Sequence, residues 1–199
     1  MRLGIYGGTF SPPHSGHVNA ARSFAESMML DKLLIIPTFI PPHKEFSEEA
    51  SCEERLEMCR LAFRDIPVAE VSDIEIKRGG KSYTYETLEE LSRSGDDLYF
   101  LIGTDMLLSF DRWKNPERIL DLCTLCYVRR ESDRELDGEI AAKISEYREK
   151  YGREPQKIDH TVTEISSSEI RRLLTNDTDC ASVLPSDVLG YIKKRGLYK

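Results

Sequence analysis

The sequence predicts an α/β fold with a Rossmann-like, doubly wound parallel sheet, and three observations support this prediction. Short apolar strands alternate with amphipathic helices from the start of the chain. Two strands and one helix fit within about thirty residues near the start, which is the βαβ unit whose crossover is nearly always right-handed. No internal repeat or low-complexity linker divides the 199 residues, so a single domain is expected over residues 1–199.

Each element is justified by its apolar pattern and by the residues at its ends. Glycine or proline ends the strands at Gly7, Pro37 and Gly103, and the capping box Ser51-Cys52-Glu53-Glu54 starts a helix. The predicted order is strand 2–6, helix 17–29, strand 32–36, helix 51–65, strand 68–76, helix 84–94, strand 98–102, helix 116–122, strand 125–128, helix 136–151, a strand near 158, and helices after 167 and 186. Residues from about 165 to 199 are expected to form a small helical C-terminal part.

The composition disfavours several classes of partner. The chain has 28 basic and 35 acidic residues and a formal charge of −7, which disfavours non-specific binding to nucleic acid or to an anionic membrane. No apolar stretch is long enough to span a bilayer, and no long apolar h-region follows Met1. We therefore expect a soluble, cytoplasmic protein with neither nucleic-acid nor membrane partners, and the sequence leaves a homo-oligomer open.

The five cysteines do not form a metal or redox motif. They are spread along the chain at 52, 59, 123, 126 and 180, unlike the dense pattern of a small disulfide-rich domain. Cys123 and Cys126 form one CxxC, but residues three apart on a strand point to opposite faces, and no second CxxC completes a zinc site. We expect reduced, buried thiols and no metal site built from protein side chains.

The loop between the first strand and the first helix predicts an anion site. Backbone N–H groups and the helix dipole favour a phosphate at such a turn. Gly7-Gly8 has no Cβ atoms that would keep a ligand from the backbone, and Gly16 lets the chain pass between two imidazoles. His14 and His17 are three residues apart around the helix start, so both can donate to one phosphate group. A phosphate site is therefore favoured over a purely structural turn.

The sequence disfavours two other kinds of nucleotide site. A dinucleotide-binding oxidoreductase would carry GxGxxG in this loop and a carboxylate at the end of the second strand, where Pro37 stands instead. A Walker A sequence is also absent from the chain. The loop is therefore neither of these common phosphate-binding motifs.

Four motifs together resemble a known family. Gly7-Gly8-Thr9-Phe10, followed by proline and by His14-Ser15-Gly16-His17, is similar to the signature of the nucleotidyltransferase superfamily related to class I tRNA synthetases. Three further motifs occur in the same order as in its nicotinate-nucleotide adenylyltransferase branch, and they are Pro41-Pro42-His43-Lys44, Gly103-Thr104-Asp105 and Ile165-Ser166-Ser167-Ser168-Glu169-Ile170-Arg171. The resemblance covers nearly the whole chain.

The resemblance implies an ATP site and a set of catalytic residues. The serines at 166–168 form a strong candidate N-cap, and Arg171 adds a planar cation suited to phosphate oxygens. The ATP-binding residues implied are Gly7, Gly8, Thr9, Phe10, His14, His17, Gly103, Asp105, Ile165, Ser166, Ser168 and Arg171. The catalytic residues implied are His14, His17, Lys44 and Arg171. Ser168 stands where many relatives carry threonine, and it keeps the hydroxyl.

The resemblance also implies an acceptor site. Lys44, Thr84, Tyr85 and Trp113 are expected to bind nicotinate mononucleotide, and Trp113 is the single tryptophan, in an otherwise polar stretch. Lys114 replaces an aromatic residue that often comes next, but backbone N–H groups of this segment can still bind a carboxylate. Polar groups built for a carboxylate reject an uncharged analogue by up to roughly 10⁴-fold, which favours nicotinate over nicotinamide.

The implied reaction is attack of the acceptor phosphate on the α-phosphorus of ATP, giving deamido-NAD and pyrophosphate in NAD biosynthesis. Mg²⁺ is expected to bind mainly through the ATP phosphates. Two alternatives stay open: a sister enzyme acting on nicotinamide mononucleotide, phosphopantetheine or a small phosphate ester, and a non-catalytic nucleotide sensor.

Overall fold

The computed structural model describes residues 1–41, 50–129 and 134–199. These residues form one six-stranded parallel sheet with the strand order β3-β2-β1-β4-β5-β6. The strands are β1 (Arg2–Gly8), β2 (Lys32–Pro37), β3 (Ala69–Val71), β4 (Asp97–Gly103), β5 (Cys123–Val128) and β6 (Gln156–Ile158). The predicted Rossmann-like, doubly wound α/β fold is therefore confirmed.

Helices cover both faces of the sheet. They are α1 (Ser15–Ser27), α2 (Cys52–Phe63), α3 (Ile74–Arg78), α4 (Thr84–Ser92), α5 (Thr104–Leu107), α6 (Pro116–Leu122), α7 (Asp137–Tyr151), α8 (Ser167–Thr175) and α9 (Ser186–Arg195), with a 3₁₀ turn at Phe110–Arg112. Side chains of each strand alternate between the faces, so Leu3 and Ile5 pack on the side of α4 to α7 while Tyr6 packs on the side of α1, α2, α8 and α9. None of the helices in the described part of the chain is both long and apolar enough to cross a membrane.

The strand order reverses between β1 and β4. The chain winds outward from β1 through β2 to β3 in one direction, and from β4 through β5 to β6 in the other. The loops that follow β1 and β4 therefore leave the sheet side by side, and in open α/β sheets the crevice at this switch point binds ligands. The topology places the loop with the two histidines next to the Gly103-Thr104-Asp105 motif.

The predicted strand at residues 68–76 is wrong over most of its length. Only Ala69–Val71 pairs with β2, at the edge of the sheet, and α3 follows at Ile74–Arg78. Polar residues explain the helix, since Glu75 lies in its first turn, Lys77 and Arg78 lie in its last turn, and Gly79 ends it with a φ of 71°. The alternating apolar residues suggested a strand, but charges suited to the helix dipole and a glycine stop favour one short helix.

Two predicted helix starts are confirmed by their hydrogen bonds. The Ser51 hydroxyl accepts from the Glu54 backbone N–H at 3.2 Å, and the Glu54 carboxylate accepts from the Ser51 N–H at 2.9 Å. The Ser166 hydroxyl accepts from the Glu169 N–H at 3.1 Å, which makes it the N-cap of α8. The helix predicted at 17–29 starts two residues earlier, at Ser15, with His14 as N-cap.

The cysteines are unpaired thiols. Cys123 and Cys126 both lie in β5, and their side chains pack on opposite faces of the sheet, as predicted. Burial raises the pKa of Cys126 to about 12, so its thiol is not a nucleophile near neutral pH.

Candidate active site

A cleft of about 310 Å³ opens at the carboxyl ends of β1 and β4. The loop after β1, the start of α4, the segment after β4 and the start of α8 form its walls. The predicted site residues that line it are Gly7, Gly8, Thr9, Phe10, His14, His17, Thr84, Gly103, Asp105, Trp113, Ser166, Ser168 and Arg171. Four segments that are far apart in the sequence therefore meet in one cavity.

His14 and His17 lie against each other at the start of α1. Their ring centroids are 3.7 Å apart, and the His14 backbone N–H donates to His17 Nδ1 at 3.2 Å. Since Nδ1 accepts this bond, a neutral His17 carries its proton on Nε2, which becomes the donor nitrogen. A Cβ on Gly16 would approach the His14 ring to 3.1 Å, so the glycine is needed for this close arrangement. The turn is built to present imidazole donors at a helix N-terminus.

Phe10 anchors the loop after β1 through its buried side chain. Its φ is 50°, a region that non-glycine residues rarely adopt, and its side chain is only 2% exposed. The ring makes edge contacts with Tyr6, His17 and Phe63, with centroid distances of 5.5, 5.1 and 5.7 Å. These contacts compensate for the unfavourable backbone and fix the position of the His17 ring.

The start of α8 is bonded directly to the loop after β1. Arg171 donates through Nη1 to the Ser11 carbonyl at 2.8 Å and through Nη2 to the Ser168 hydroxyl at 3.2 Å. The Ser167 hydroxyl donates to the Pro12 carbonyl at 2.9 Å. Two helix N-termini, those of α1 and α8, therefore lie at the same end of the cleft. Their N–H groups and the guanidinium favour an anion there.

Arg55, in α2, supports the loop and was missed from the sequence. It is fully buried, and its guanidinium donates to the Thr9 carbonyl at 2.9 Å and to the Thr38 carbonyl at 2.6 Å. Near the C-terminus, the Tyr198 hydroxyl lies 2.9 Å from the Ser11 hydroxyl in a buried hydrogen bond. Arg55 positions backbone that lines the cleft, and Tyr198 positions the side chain of Ser11, which also lines it. No local motif marks them, since each acts on residues distant in sequence.

Asp105 lies in the first turn of α5, directly after β4. The N-cap of this helix is Gly103, so Asp105 is not the cap that a purely structural role would predict. Its side chain is exposed and lines the cleft on the side of α5. A carboxylate in this position can accept hydrogen bonds from sugar hydroxyls.

A series of packed aromatic rings supports Trp113 at the other end of the cleft. Its ring lies 6.2 Å from that of Phe100 and 5.4 Å from that of Phe110, measured between centroids. Tyr147 of α7 packs edge-on against Phe110 at 5.8 Å, and its hydroxyl donates to the Leu107 carbonyl at 2.7 Å. The indole is thus a half-buried, rigid surface on which a flat ring can pack.

Three of the predicted site residues are not among the described lining residues. Tyr85 is directed to its neighbour, since its hydroxyl donates to Glu86 at 2.8 Å, and Tyr83 lines the cleft instead. Ile165 is partly buried against the core on the α1 side of the sheet. Lys44, like the adjacent Pro42 and His43 of its motif, lies outside the described residues.

Glu75 is a buried carboxyl group in the cleft wall that sequence reasoning also missed. It is 6% exposed, and one carboxyl oxygen accepts from the Thr87 hydroxyl at 2.7 Å. Arg78 donates to the same hydroxyl at 2.8 Å. Burial raises the pKa of Glu75 above its usual range, and hydrogen bonds from Thr87 and Ser82 and the charge of Arg78 oppose this shift only in part. The predicted strand at 68–76 hid the role of this residue, because it placed Glu75 on a strand and not at the start of a helix beside the cleft.

The raised pKa of Glu75 predicts a pH-dependent stability. Because the native protein holds this proton more tightly than the unfolded chain, the free energy of unfolding should fall as pH rises from the ordinary glutamate range through the native pKa. Glu75→Gln mimics the neutral acid, so it should match the wild type near pH 4, below the ordinary pKa of glutamate, and exceed it at pH 7. Urea unfolding at pH 4, 5, 6 and 7 measures this, with Glu149→Gln at an exposed site of α7 as the control. The same pH slope in wild type and Glu75→Gln would contradict the prediction.

Residues 5–173 match the model of the cytidylyltransferase-like family. The fold and the cleft thus define a nucleotide-binding transferase of that class. A probable nicotinate-nucleotide adenylyltransferase of Geotalea daltonii is 38% identical, and the alignment covers 100% of this chain and 98% of the relative. A protein of the same description from Borrelia hermsii is 36% identical, with 100% and 98% covered. The chain belongs to the nicotinate-nucleotide adenylyltransferase family.

Solved structures share the fold. The Plasmodium falciparum nicotinic acid mononucleotide adenylyltransferase complexed with NaAD superposes with a TM-score of 0.78 at 19% identity, covering 99% of this chain and 97% of the other. A putative nicotinate-nucleotide adenylyltransferase of Vibrio parahaemolyticus gives a TM-score of 0.68 at 20% identity, covering 99% and 94%. The architecture of this sheet is therefore kept while most of the sequence varies.

Proposed function

We propose that this chain transfers AMP from ATP to nicotinate mononucleotide, giving deamido-NAD and pyrophosphate, a step of NAD biosynthesis. One observation is the main support for this proposal. A single cleft contains a cluster of groups that donate hydrogen bonds to phosphate at one end (the phosphate end), and an aromatic surface that can accommodate a carboxylate at the other (the acceptor end). His17 and Arg171 belong to the first end, and Thr84 and Trp113 to the second. The related proteins named for this reaction support the same assignment.

The phosphate end of the cleft suits transfer of AMP to a phosphate nucleophile. A phosphate dianion needs no general base, so catalysis can rest on in-line positioning and on stabilising charge at the α-phosphate and the departing pyrophosphate. His17 Nε2–H, the Arg171 guanidinium and the N–H groups at the start of α8 are the donors proposed for this task. We propose that the histidines donate hydrogen bonds and do not act as acid–base catalysts.

We propose that ATP enters as its Mg²⁺ complex. When bound, Mg²⁺ would be held mainly by the ATP phosphates and would offset part of their negative charge. Within residues 1–41, 50–129 and 134–199, no three histidine, cysteine or acidic side chains are grouped to hold a metal ion. Asp105 is proposed to accept from the ribose hydroxyls, because it follows β4 and lines the cleft near the loop after β1.

The acceptor end is proposed to select the nicotinate ring. The ring would pack on Trp113, and the Thr84 hydroxyl together with backbone N–H groups near residues 113 and 114 would bind the ring carboxylate. The unpaired thiols fit the reducing conditions of the cytoplasm, which is where we place the reaction.

The proposal predicts a clear order of acceptors. With MgATP, kcat/KM for nicotinate mononucleotide should exceed that for nicotinamide mononucleotide by about 10²- to 10⁴-fold, since the neutral amide leaves carboxylate-binding groups unpaired. Pyrophosphate release, with the dinucleotide identified by mass spectrometry, measures this across both mononucleotides and phosphopantetheine.

The same panel separates the alternatives. Equal kcat/KM for the two mononucleotides would reject the proposed specificity, and faster turnover of phosphopantetheine would indicate a sister adenylyltransferase. Tight ATP binding without pyrophosphate release for any acceptor would instead favour a nucleotide sensor.

A further inference from the structure

Lys114 lies in the wall of the acceptor end of the cleft, next to Trp113. Its ammonium group sits over the Tyr83 ring, 4.2 Å from the centroid, and 5.6 Å from the centroid of Tyr85. Tyr83 precedes α4, whereas Lys114 precedes α6, so the contact joins two separate walls. The tyrosine ring holds the lysine side chain near the cleft before any ligand binds.

Few positively charged side chains line the described part of the cleft, and Lys114 is one of them. Among the described residues that line the cleft, Lys114 and Arg171 are the two with a permanent positive charge. Arg171 is bonded to the Ser11 carbonyl and the Ser168 hydroxyl at the phosphate end. The acceptor end contains the buried carboxyl group of Glu75, in a chain whose formal charge is −7. Among the described lining residues, Lys114 is therefore the positively charged side chain of this end, since Arg78, which donates to the Thr87 hydroxyl at 2.8 Å, does not itself line the cleft.

We propose that the Lys114 side chain also binds the ring carboxylate of the acceptor, beside the Thr84 hydroxyl and the backbone N–H groups, and strengthens the preference for an anionic over a neutral ring substituent. This inference rests on the proposed function. A ring that packs on Trp113 lies beside the adjacent lysine, and both residues line the same cavity. The lysine leaves a weak contact with the Tyr83 ring and gains a charge-assisted hydrogen bond to the carboxylate.

Steady-state kinetics of Lys114→Met test the inference. At saturating MgATP, KM for nicotinate mononucleotide should rise about 10- to 100-fold, the usual effect of losing one charge-assisted hydrogen bond, while kcat changes little. KM for nicotinamide mononucleotide should stay within about two-fold, because the neutral amide gains little from the ammonium. Lys114→Arg should restore most of the selectivity, since it keeps the charge.

Lys150→Met is the matched control. Lys150 also lies over a tyrosine, 5.0 Å from the Tyr151 centroid, but it is not among the described residues that line the cleft. Its substitution removes the same charge and a similar ring contact, so both KM values should stay at the wild-type level. Any general effect of the lower net charge would appear in this variant as well.

The outcomes are distinct. The inference is overturned, and the proposed function stands, if Lys114→Met keeps the wild-type ratio of the KM values for the two mononucleotides. An equal rise of both KM values gives this result, and it would indicate a lost contact to the 5′-phosphate that the two mononucleotides share. If the wild-type protein uses neither mononucleotide, the proposed function itself fails. A loss confined to nicotinate mononucleotide, absent in Lys150→Met and reversed by Lys114→Arg, supports the inference.

Discussion

His17→Ala should lower kcat by about 10²- to 10³-fold, the usual effect of removing one preorganised donor to a reacting phosphate or oxyanion. The structure supports this because Nδ1 is committed to the His14 N–H, which makes Nε2 the donor nitrogen of a ring that lines the cleft. The fold should survive, since the 5.1 Å edge contact with Phe10 is one of several that hold the loop. Circular dichroism and pyrophosphate-release kinetics measure the two effects separately.

Two further variants sharpen this test. His17→Gln places an amide N–H close to the position of Nε2–H, so it should retain more activity than alanine if the histidine acts as a donor. His160→Ala provides a histidine control, because His160 lies outside the set of described cleft residues. Near-normal kinetics of His17→Ala would rule out the proposed mechanism, and equal losses in the alanine and glutamine variants would argue against a donor role.

Arg55→Met should lower the free energy of unfolding by about 2–4 kcal/mol, since each buried carbonyl that loses its donor costs about 1–3 kcal/mol and the methionine fills part of the space. The two carbonyls are those of Thr9 and Thr38, which line the cleft, so turnover should fall together with stability. Urea unfolding measures the first effect and pyrophosphate release at saturating substrates the second.

Arg60→Met on the same helix is the control for Arg55→Met. Arg60 is exposed, and its ion pair with Glu57 at 3.2 Å is worth little, as exposed pairs usually are. The two variants remove the same charge from α2 and differ in burial. Equal unfolding midpoints would show that the bonds of Arg55 to the loop backbone do not stabilise the fold.

Predictions from local patterns agreed with the structure where the stabilising interactions are local. The caps at Ser51 and Ser166 are confirmed because each serine bonds to a backbone N–H three residues later. The order of the other predicted elements is confirmed for the same reason, since apolar spacing within each segment decides its structure, whereas α3, α5 and the 3₁₀ turn at Phe110–Arg112 were not predicted. The strand prediction at 68–76 failed, because a short apolar run is compatible with a strand as well as with a short helix.

The sequence by itself determined the order of elements, the Rossmann-like class and the motifs that meet at the phosphate end of the cleft, because each depends on residues close together in the chain. The roles assigned to those site residues stay predictions. Only the tertiary structure decided that Arg55 supports the loop, that Glu75 is buried in the cleft wall, and that Lys114 lies on Tyr83. Arg55 bonds to residues 17 and 46 positions away, Lys114 contacts a residue on another wall of the cleft, and Glu75 is a polar group in a buried place. All three depend on how the helices pack on the sheet.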